Sequence, residues 1–163
     1  MQSFYKILFF NFKHYSYITM IPGEHFMKEA LKEAKKAFEE GEVPIGAVIV
    51  ANNTIIAKAH NQVETLSDPT AHTEMIAITS ATNYLGAKYL EECTLYVTLE
   101  PCPMCASALN WSKIGKIVYA AEDEKNGFMQ FGTKMLHPKT KIDFGLLSSD
   151  SISILQDFFR EKR

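Results

Sequence analysis

The stretch Cys93–Ala121 alternates between strand-like and helix-like patterns and most constrains how this chain can fold. "CTLYVTL" and "KIVYAA" are rich in β-branched and aromatic residues, as interior strands are. Between them Pro101 ends the first run, and the residues that follow, through Trp111, predict a helix. Two apolar strands joined by a helix indicate an α/β protein whose sheet is covered by helices.

The flanking segments continue this alternation. Apolar residues at helical spacing predict three further helices, at 24–40, from about 71 to 85, and at 148–163. Strands are predicted at 43–50 and 54–60, with Asn52 and Asn53 in the turn between them. The predicted order is α-β-β-α-β-α-β-α. It favours a single sheet with helices on both faces, which is a three-layer α/β/α sandwich.

Two polar stretches, 61–70 and 123–141, are predicted to be loops, the second with short elements. The C-terminal helix is predicted to be capped by Ser149 or Asp150. Four of its residues are predicted to face the core: Ile152, Leu155, Phe158 and Phe159.

Composition limits the classes of protein to consider. A chain of 163 residues that is 47% hydrophobic can bury the core of one compact domain. The formal net charge of −2 excludes a strongly basic nucleic-acid binder, so any RNA contact must depend on a local patch. Three cysteines are too few, and odd in number, for a secreted disulfide framework, and they favour a reducing cytoplasm.

The N-terminal stretch of 20 residues differs from the rest of the chain in composition, because it holds seven of the chain's 19 aromatic residues. Its longest apolar run, Ile7–Phe10, is too short for a membrane span or a signal peptide. It is either an appendage that packs on the body, a peptide with an unusual targeting role, or upstream sequence read from too early a start codon. We favour the third, with Met20 or Met27 as the start. Residues 1–22 are therefore treated as an atypical extension and residues 23–163 as the domain.

Cys102 and Cys105 stand at the predicted start of a helix, in the run "PCPMC". At a spacing of three residues both sulfurs can point the same way. The partial positive charge of a helix N-terminus favours the thiolate, which is the form that binds metal. The pair alone also fits a redox couple or two core cysteines.

His72 begins another predicted helix, in "TAHTEM", and adds a third candidate metal ligand. Helix starts that follow neighbouring strands can face one crevice. Cys93 opens an interior strand and is predicted to be a small buried residue, so a closed four-ligand structural site is hard to assemble. Glu74, in the first turn after His72, can project over the metal and move a proton.

The combined pattern H-x-E (His72–Glu74) and P-C-x-x-C (Pro101–Cys105) resembles the zinc-dependent cytidine deaminase superfamily, whose signature is H-x-E…P-C-x-x-C. Within it, the region from His25 to Arg163 resembles the bacterial tRNA-specific adenosine deaminases. This closer resemblance is carried by the stretches "EVPIGAVIV", "HNQ", "DPTAHTEM", "CTLYVTLEPCPMC", "IGKIVYAA" and "DFFREKR".

The resemblance implies a cytidine deaminase-like fold with a central mixed sheet. It implies one Zn²⁺ per chain held by His72, Cys102 and Cys105, with Glu74 as the proton shuttle and Asn61 as a substrate contact. The implied reaction is hydrolytic conversion of adenosine to inosine at the wobble position of the tRNA anticodon, by a homodimer.

Two departures from the family pattern bear on the substrate. Thr73 stands where the family usually has Ala, and its bulk is expected to change the pocket wall. After "DEKNG" (Asp123–Gly127) the family often has small residues, whereas this chain has "FMQFG". Phe128 and Phe131 are therefore expected either to stack on splayed bases or to pack the loop onto the body.

Binding of tRNA requires positive charge near the pocket. Four basic residues, at 134, 137, 139 and 141, fall within eight positions that contain no acid. A second basic group, at 160, 162 and 163, lies in the C-terminal tail. This pattern fits either RNA contacts or a solvated face. The predicted RNA-binding residues are Lys134, Lys139, Lys141, Arg160 and Arg163, with His137 in the same strip.

Three other functions fit parts of the sequence. A deaminase of free guanine or cytosine shares the motifs "EPCPMC" and "DPTAH". A zinc-stabilised binding module would need no proton shuttle at Glu74. A C-x-x-C redox protein would leave both His72 and Glu74 without a role.

Overall fold

The computed structural model describes residues 23–162, so the predicted extension 1–22 and the candidate RNA contact Arg163 lie outside the described residues. The helices are α1 (Glu24–Glu39), α2 (Val63–Leu66), α3 (Thr73–Leu85), α4 (Pro103–Trp111) and α5 (Ser148–Glu161). The strands are β1 (Gly46–Ala51), β2 (Thr54–His60), β3 (Cys93–Leu99), β4 (Lys116–Ala121) and β5 (Lys141–Phe144). Within this range no helix is both long and apolar enough to cross a membrane.

The five strands form one mixed sheet in the order β2-β1-β3-β4-β5. Strand β1 is antiparallel to both β2 and β3, whereas β3, β4 and β5 run parallel. Helices α1 and α5 pack on one face, and α3 and α4 pack on the other. The predicted three-layer α/β/α architecture is therefore confirmed.

Helix α1 lies unusually close to the sheet where it crosses β1. A Cβ atom on Gly46 would come within 2.2 Å of both the Ala30 carbonyl oxygen and the Ala34 nitrogen. Ala30 and Ala34 are themselves fully buried. Small residues on both sides allow this approach, and any side chain at Gly46 would push α1 away from the strand that precedes the site.

Most predicted elements are confirmed, and two elements were not predicted. The strands at 54–60, 93–99 and 116–121 are found with the predicted bounds. The single-turn helix α2 falls in the stretch 61–70, which was predicted to be a loop, and β5 begins at the last residue of the predicted loop 123–141 and continues through residues for which no element was predicted. In β5 only Ile142 is partly buried, and α2 contains no buried residue. Such solvated elements have no apolar period by which to recognise them.

The predicted cap and core face of α5 are partly wrong. Leu147, with φ 56°, precedes the helix, and Ser149 and Asp150 lie inside it. Phe158 is buried as predicted, but Ile152 and Phe159 are 43% and 50% exposed. The reason is that the buried side of the helix includes a serine, which an apolar period does not reveal.

Ser151 is fully buried and donates a hydrogen bond to the Thr98 carbonyl of β3. Ser151 and Phe158 therefore lie on the side of α5 that faces the sheet, one residue out of step with the predicted Ile152 and Phe159.

Candidate active site

Three potential metal ligands converge at two helix starts. His72 is the N-cap residue of α3, and Cys102 is the N-cap residue of α4. Pro103, in the first turn of α4, has a fixed φ that suits a helix start and needs no hydrogen-bond partner for its nitrogen. The His72 Nδ1 atom lies 3.6 Å from the sulfurs of both Cys102 and Cys105. One potential ligand atom from each residue lies within 4.8 Å of the others.

This donor set fits zinc. Bonds of ~2.1 Å to nitrogen and ~2.3 Å to sulfur at a tetrahedral angle place the two atoms ~3.6 Å apart. The two N···S distances of 3.6 Å agree with that spacing. Among the described residues, the three-residue group is the one set of His, Cys, Asp and Glu side chains close enough to hold a metal. Three protein ligands leave a fourth position open, as in catalytic zinc sites.

The two thiols share a proton unequally. Hydrogen bonds from Cys105 lower the pKa of Cys102 to about 5, and nearby His72 acts in the same direction. The hydrogen bond with Cys102 and burial raise the pKa of Cys105. Cys102 is therefore a thiolate at neutral pH, which is the state in which sulfur binds metal. Cys93 is buried at the start of β3, as predicted, and lies outside the ligand group.

Glu74 lies in the first turn of α3 with only 4% of its surface exposed. Burial raises the pKa of its carboxyl group to about 7, and the side chain forms a hydrogen bond with Cys105. The structure thus places this carboxyl group beside the ligands, as the sequence predicted. A pKa near neutrality suits a group that accepts and returns a proton.

Asn61 follows β2 and is held next to the start of α3. Its backbone N–H donates to the Ile45 carbonyl at 3.1 Å, and the next N–H, of Gln62, donates to the Ala71 carbonyl at 3.1 Å. Ala71 directly precedes His72, so the structure brings Asn61 into the neighbourhood of the ligands. The side chain is 4% exposed, and its Nδ2 donates to the Glu42 carboxylate at 3.0 Å.

Thr73 is 1% exposed, and its hydroxyl donates to the Ile45 carbonyl at 3.0 Å. The same carbonyl accepts the backbone N–H of Asn61. The residue that departs from the family pattern therefore links the start of α3 to the segment before β1.

A second buried acid, Glu100, fastens the loop that follows β4 to the turn that carries Cys102. Its carboxylate accepts N–H groups from Asp123 at 3.0 Å and Met129 at 2.9 Å. A Cβ on Gly127 would lie 2.2 Å from the Glu100 Oε1 atom, so a side chain there would displace the carboxylate from this position. The conformation of this loop is thus coupled to the metal-binding turn.

The two phenylalanines of this loop have different environments. Phe128 is fully buried and packs edge-on against Tyr119, with 6.4 Å between ring centroids. Of the two expected roles, Phe128 therefore has the second, because its ring packs the loop onto the body and does not face a ligand. Phe131 is 65% exposed and available to a ligand.

The candidate RNA-binding residues are spread over two edges of the sheet. Lys134, Lys139 and Lys141 are all exposed. Lys141 begins β5 at the amino end of the parallel strands, whereas Cys102 follows the carboxyl end of β3. The lysine strip therefore reaches the edge opposite the ligands, so it is not beside the pocket as expected and can contact only parts of an RNA that extend away from the target base.

Arg160, on α5, is bonded to Asp157 at 2.6 Å. It lines a groove with Leu99 and Ala121, the last residues of β3 and β4. This arginine therefore lies at the same edge of the sheet as the ligands.

Glu42 and Glu100, whose exposures are 0% and 6%, were not predicted from the sequence. In both cases a signal was present, since an acid directly adjoins an apolar strand pattern. A carboxylate in that position must find hydrogen-bond donors, because burying it without them is very costly.

Comparisons with known proteins agree with this geometry. Residues 20–121 match the model of the family described as "Cytidine and deoxycytidylate deaminase zinc-binding region". The chain is 50% identical over 145 residues to a tRNA-specific adenosine deaminase of Aquifex aeolicus, covering 86% of this chain and 95% of that protein. It is 48% identical over 151 residues to the one of Bacillus subtilis, covering 88% and 92%.

Solved structures show the same relationship. A structure from studies of A-to-I editing by tRNA:A34 deaminases at the wobble position is 42% identical, with a TM-score of 0.76, covering 80% of this chain and 99% of that chain. A guanine deaminase of Bacillus subtilis is 46% identical, with a TM-score of 0.58, covering 61% and 64%. With its fold, its ligand group and relatives that match nearly from end to end, the chain belongs to the zinc-binding cytidine and deoxycytidylate deaminase family, among the tRNA-specific adenosine deaminases.

Proposed function

We propose that this protein is a zinc-dependent hydrolytic deaminase that converts adenosine to inosine in tRNA, at the wobble position. The carrying observation is the cluster of His72, Cys102 and Cys105 beside the buried carboxyl group of Glu74. It occurs in a chain that is 50% identical to a protein named tRNA-specific adenosine deaminase. The fold alone would not support the assignment, because one fold serves many reactions.

Each site residue then has a definite task. His72, Cys102 and Cys105 hold one zinc ion per chain. When bound, zinc lowers the pKa of a water molecule toward ~7 and so supplies the nucleophile for C6 of adenine. Glu74 accepts one proton of the attacking water and delivers it to a ring nitrogen of the base, and then carries the proton of the new C6 hydroxyl to the amino group, which leaves as ammonia. Asn61 binds the base, and burial of Glu74 and Asn61 keeps bulk water from these groups.

The partner and the setting complete the proposal. The target base must leave its stack, which costs less in the loop of an anticodon stem-loop than in a duplex. We infer an anticodon stem-loop as the recognised unit, and a homodimer in the cytoplasm as the working form. The cytoplasm is supported by the three cysteines, which are all free thiols in the structure.

A guanine deaminase is the second candidate, because the solved guanine deaminase of Bacillus subtilis is 46% identical over the part it covers. An assay of ammonia release by the zinc-loaded protein distinguishes the two functions. We expect release with an anticodon stem-loop and none with free guanine, cytosine or adenosine. Release from guanine together with no reaction on the stem-loop would replace the tRNA function by the second candidate.

Replacing Lys139 and Lys141 with alanine should raise the KM for an anticodon stem-loop and flatten its salt dependence. Each phosphate neutralised by a lysine releases counterions, so losing these contacts weakens binding and reduces the salt slope. Turnover at saturation should change little, because the ligands lie at the other edge of the sheet. Steady-state kinetics at several salt concentrations provide the measurement.

The matched control removes two positive charges from α1 instead, through Lys28→Ala with Lys32→Ala. Both of these lysines pair with glutamates of the same helix. If the two double variants behave alike, or if neither differs from the unaltered protein, the strip from Lys134 to Lys141 is a solvated face.

Deleting residues 1–22 should leave deaminase activity and melting temperature nearly unchanged. We propose that residues 23–163 form the whole functional domain, because every motif and every site residue lies within them. Kinetics and thermal unfolding of the shortened chain provide the measurement. A large loss of either would show that the aromatic N-terminal stretch contributes to the body or to the site.

A further inference from the structure

Glu42 is a fully buried acid that connects three parts of the chain near the site. It lies just after α1, and its Oε2 atom accepts the Nδ2–H of Asn61 at 3.0 Å. The backbone N–H groups of Glu64 and Thr65, in the first turn of α2, donate to the same carboxylate at 3.3 and 2.7 Å. These three donors compensate for the burial of the Glu42 carboxylate, which would be costly without hydrogen-bond partners.

The carboxylate is ionised. Burial alone raises its pKa, but hydrogen bonds from the Thr65 and Glu64 N–H groups and from Asn61 outweigh burial and hold the pKa of Glu42 below its usual value. An ionised carboxylate is an acceptor only, so every group that it contacts must present a donor.

This requirement fixes the amide of Asn61. The side-chain amide has an oxygen at one end and an NH₂ group at the other, and the two ends have nearly the same shape. Glu42 accepts only the NH₂ end, because the oxygen end would place two acceptors together. The Oδ1 atom and the second N–H therefore keep one defined arrangement. The backbone of Asn61 is held separately, by the Ile45 carbonyl.

We propose that Glu42 is a positioning residue that sets which end of the Asn61 amide meets the substrate base. The inference rests on the proposed function, in which Asn61 contacts the base. A purine offers acceptors and donors in a fixed pattern, and an amide in the reversed orientation would oppose like groups. Glu42 therefore acts on substrate recognition through Asn61, without touching the base.

The test is a double-mutant cycle with an anticodon stem-loop as substrate. Glu42→Gln puts an NH₂ group within the cluster of donors, so Asn61 loses its single orientation. We expect kcat/KM to fall ~10–100-fold, the scale on which misplacement of substrate-positioning groups acts. In the Asn61→Ala background, the same Glu42→Gln change should lower kcat/KM less than ~2-fold, because the group through which Glu42 acts is gone. Losses that multiply in the double variant would overturn the proposal.

Ser151→Ala is the matched control for loss of a buried hydrogen bond. Ser151 is as fully buried as Glu42, and its hydroxyl contacts the Thr98 carbonyl, on the α5 side of the sheet. This variant should lose stability but keep kcat/KM within ~2-fold and its zinc content. If Ser151→Ala lowers kcat/KM as much as Glu42→Gln does, the Glu42 effect is one of general stability and the proposal is overturned.

A second variant covers the case in which Glu42→Gln does not fold. Asn61→Asp alone places two carboxylates together and should lower the melting temperature. Combining it with Glu42→Gln exchanges donor and acceptor, restores the hydrogen bond and should recover the melting temperature. If the melting temperature of the double variant does not recover, Glu42 does not hold the Asn61 side chain and the proposal is overturned. If the unaltered protein binds zinc but does not act on the stem-loop, the proposed function fails, whereas the melting-temperature arm still tests the contact.

Discussion

Glu74→Gln should slow deamination of an anticodon stem-loop ~10²–10⁴-fold, the usual contribution of a general acid–base group. Glutamine keeps the shape of the side chain but cannot accept the proton or return it. Zinc content and melting temperature should stay near those of the unaltered protein, because Glu74 is not one of the three ligands and glutamine fills the same space. Single-turnover kinetics, metal analysis and thermal unfolding measure the three quantities.

The matched control is Asp150→Asn, which also removes an acid from the first turn of a helix but lies on α5 and is exposed. It should leave the rate within about twofold. A Glu74→Gln enzyme that works within a few-fold of the unaltered one would remove Glu74 from the mechanism, whatever its burial.

Cys105→Ala should abolish both stoichiometric zinc binding and activity. The unaltered protein should carry about one zinc ion per chain, with two sulfurs, one nitrogen and one water oxygen around it. Removing a fully buried ligand leaves too few donors for tight binding, and the chain also loses the stabilisation that a bound metal gives the folded state. Metal analysis, X-ray absorption and melting temperature with and without added zinc are the measurements.

Cys93→Ala provides the control, because this third thiol is buried at the start of β3 and belongs to no ligand group among the described residues. It should keep zinc and activity, with a modest loss of stability from the smaller side chain. A zinc shell made of four protein ligands, or full activity of metal-free protein, would contradict the open catalytic site.

Sequence reasoning succeeded where local patterns carry the information. Strands β3 and β4 are apolar runs with clear ends, and the prolines at 101 and 103 mark the start of the helix that carries Cys105. It failed for β5, whose side chains are largely solvated, and whose place at the sheet edge depends on pairing with β4. No local pattern encodes such pairing.

The orientation of α5 and the role of Glu42 were missed for a related reason. The buried face of α5 includes Ser151, whose hydroxyl donates to a strand 53 residues earlier, and a serine adds nothing to an apolar period. Glu42 adjoins an apolar strand pattern, but no local pattern identifies its partner Asn61, 19 residues later. Contacts between polar groups far apart in the chain have no period and are found only once the elements are packed.

The placement of β3 has a consequence for how the protein acquires its metal during synthesis. His72 precedes this strand and Cys102 follows it, 30 residues later, so the native arrangement of the ligands requires β3 to be in its place between β1 and β4. A nascent chain still lacking β3 offers at most a lone imidazole, and a stalled chain offers scattered ligands. We therefore expect zinc uptake to follow the folding of this region, so that the rate of metal loading reports how fast the central strand is inserted.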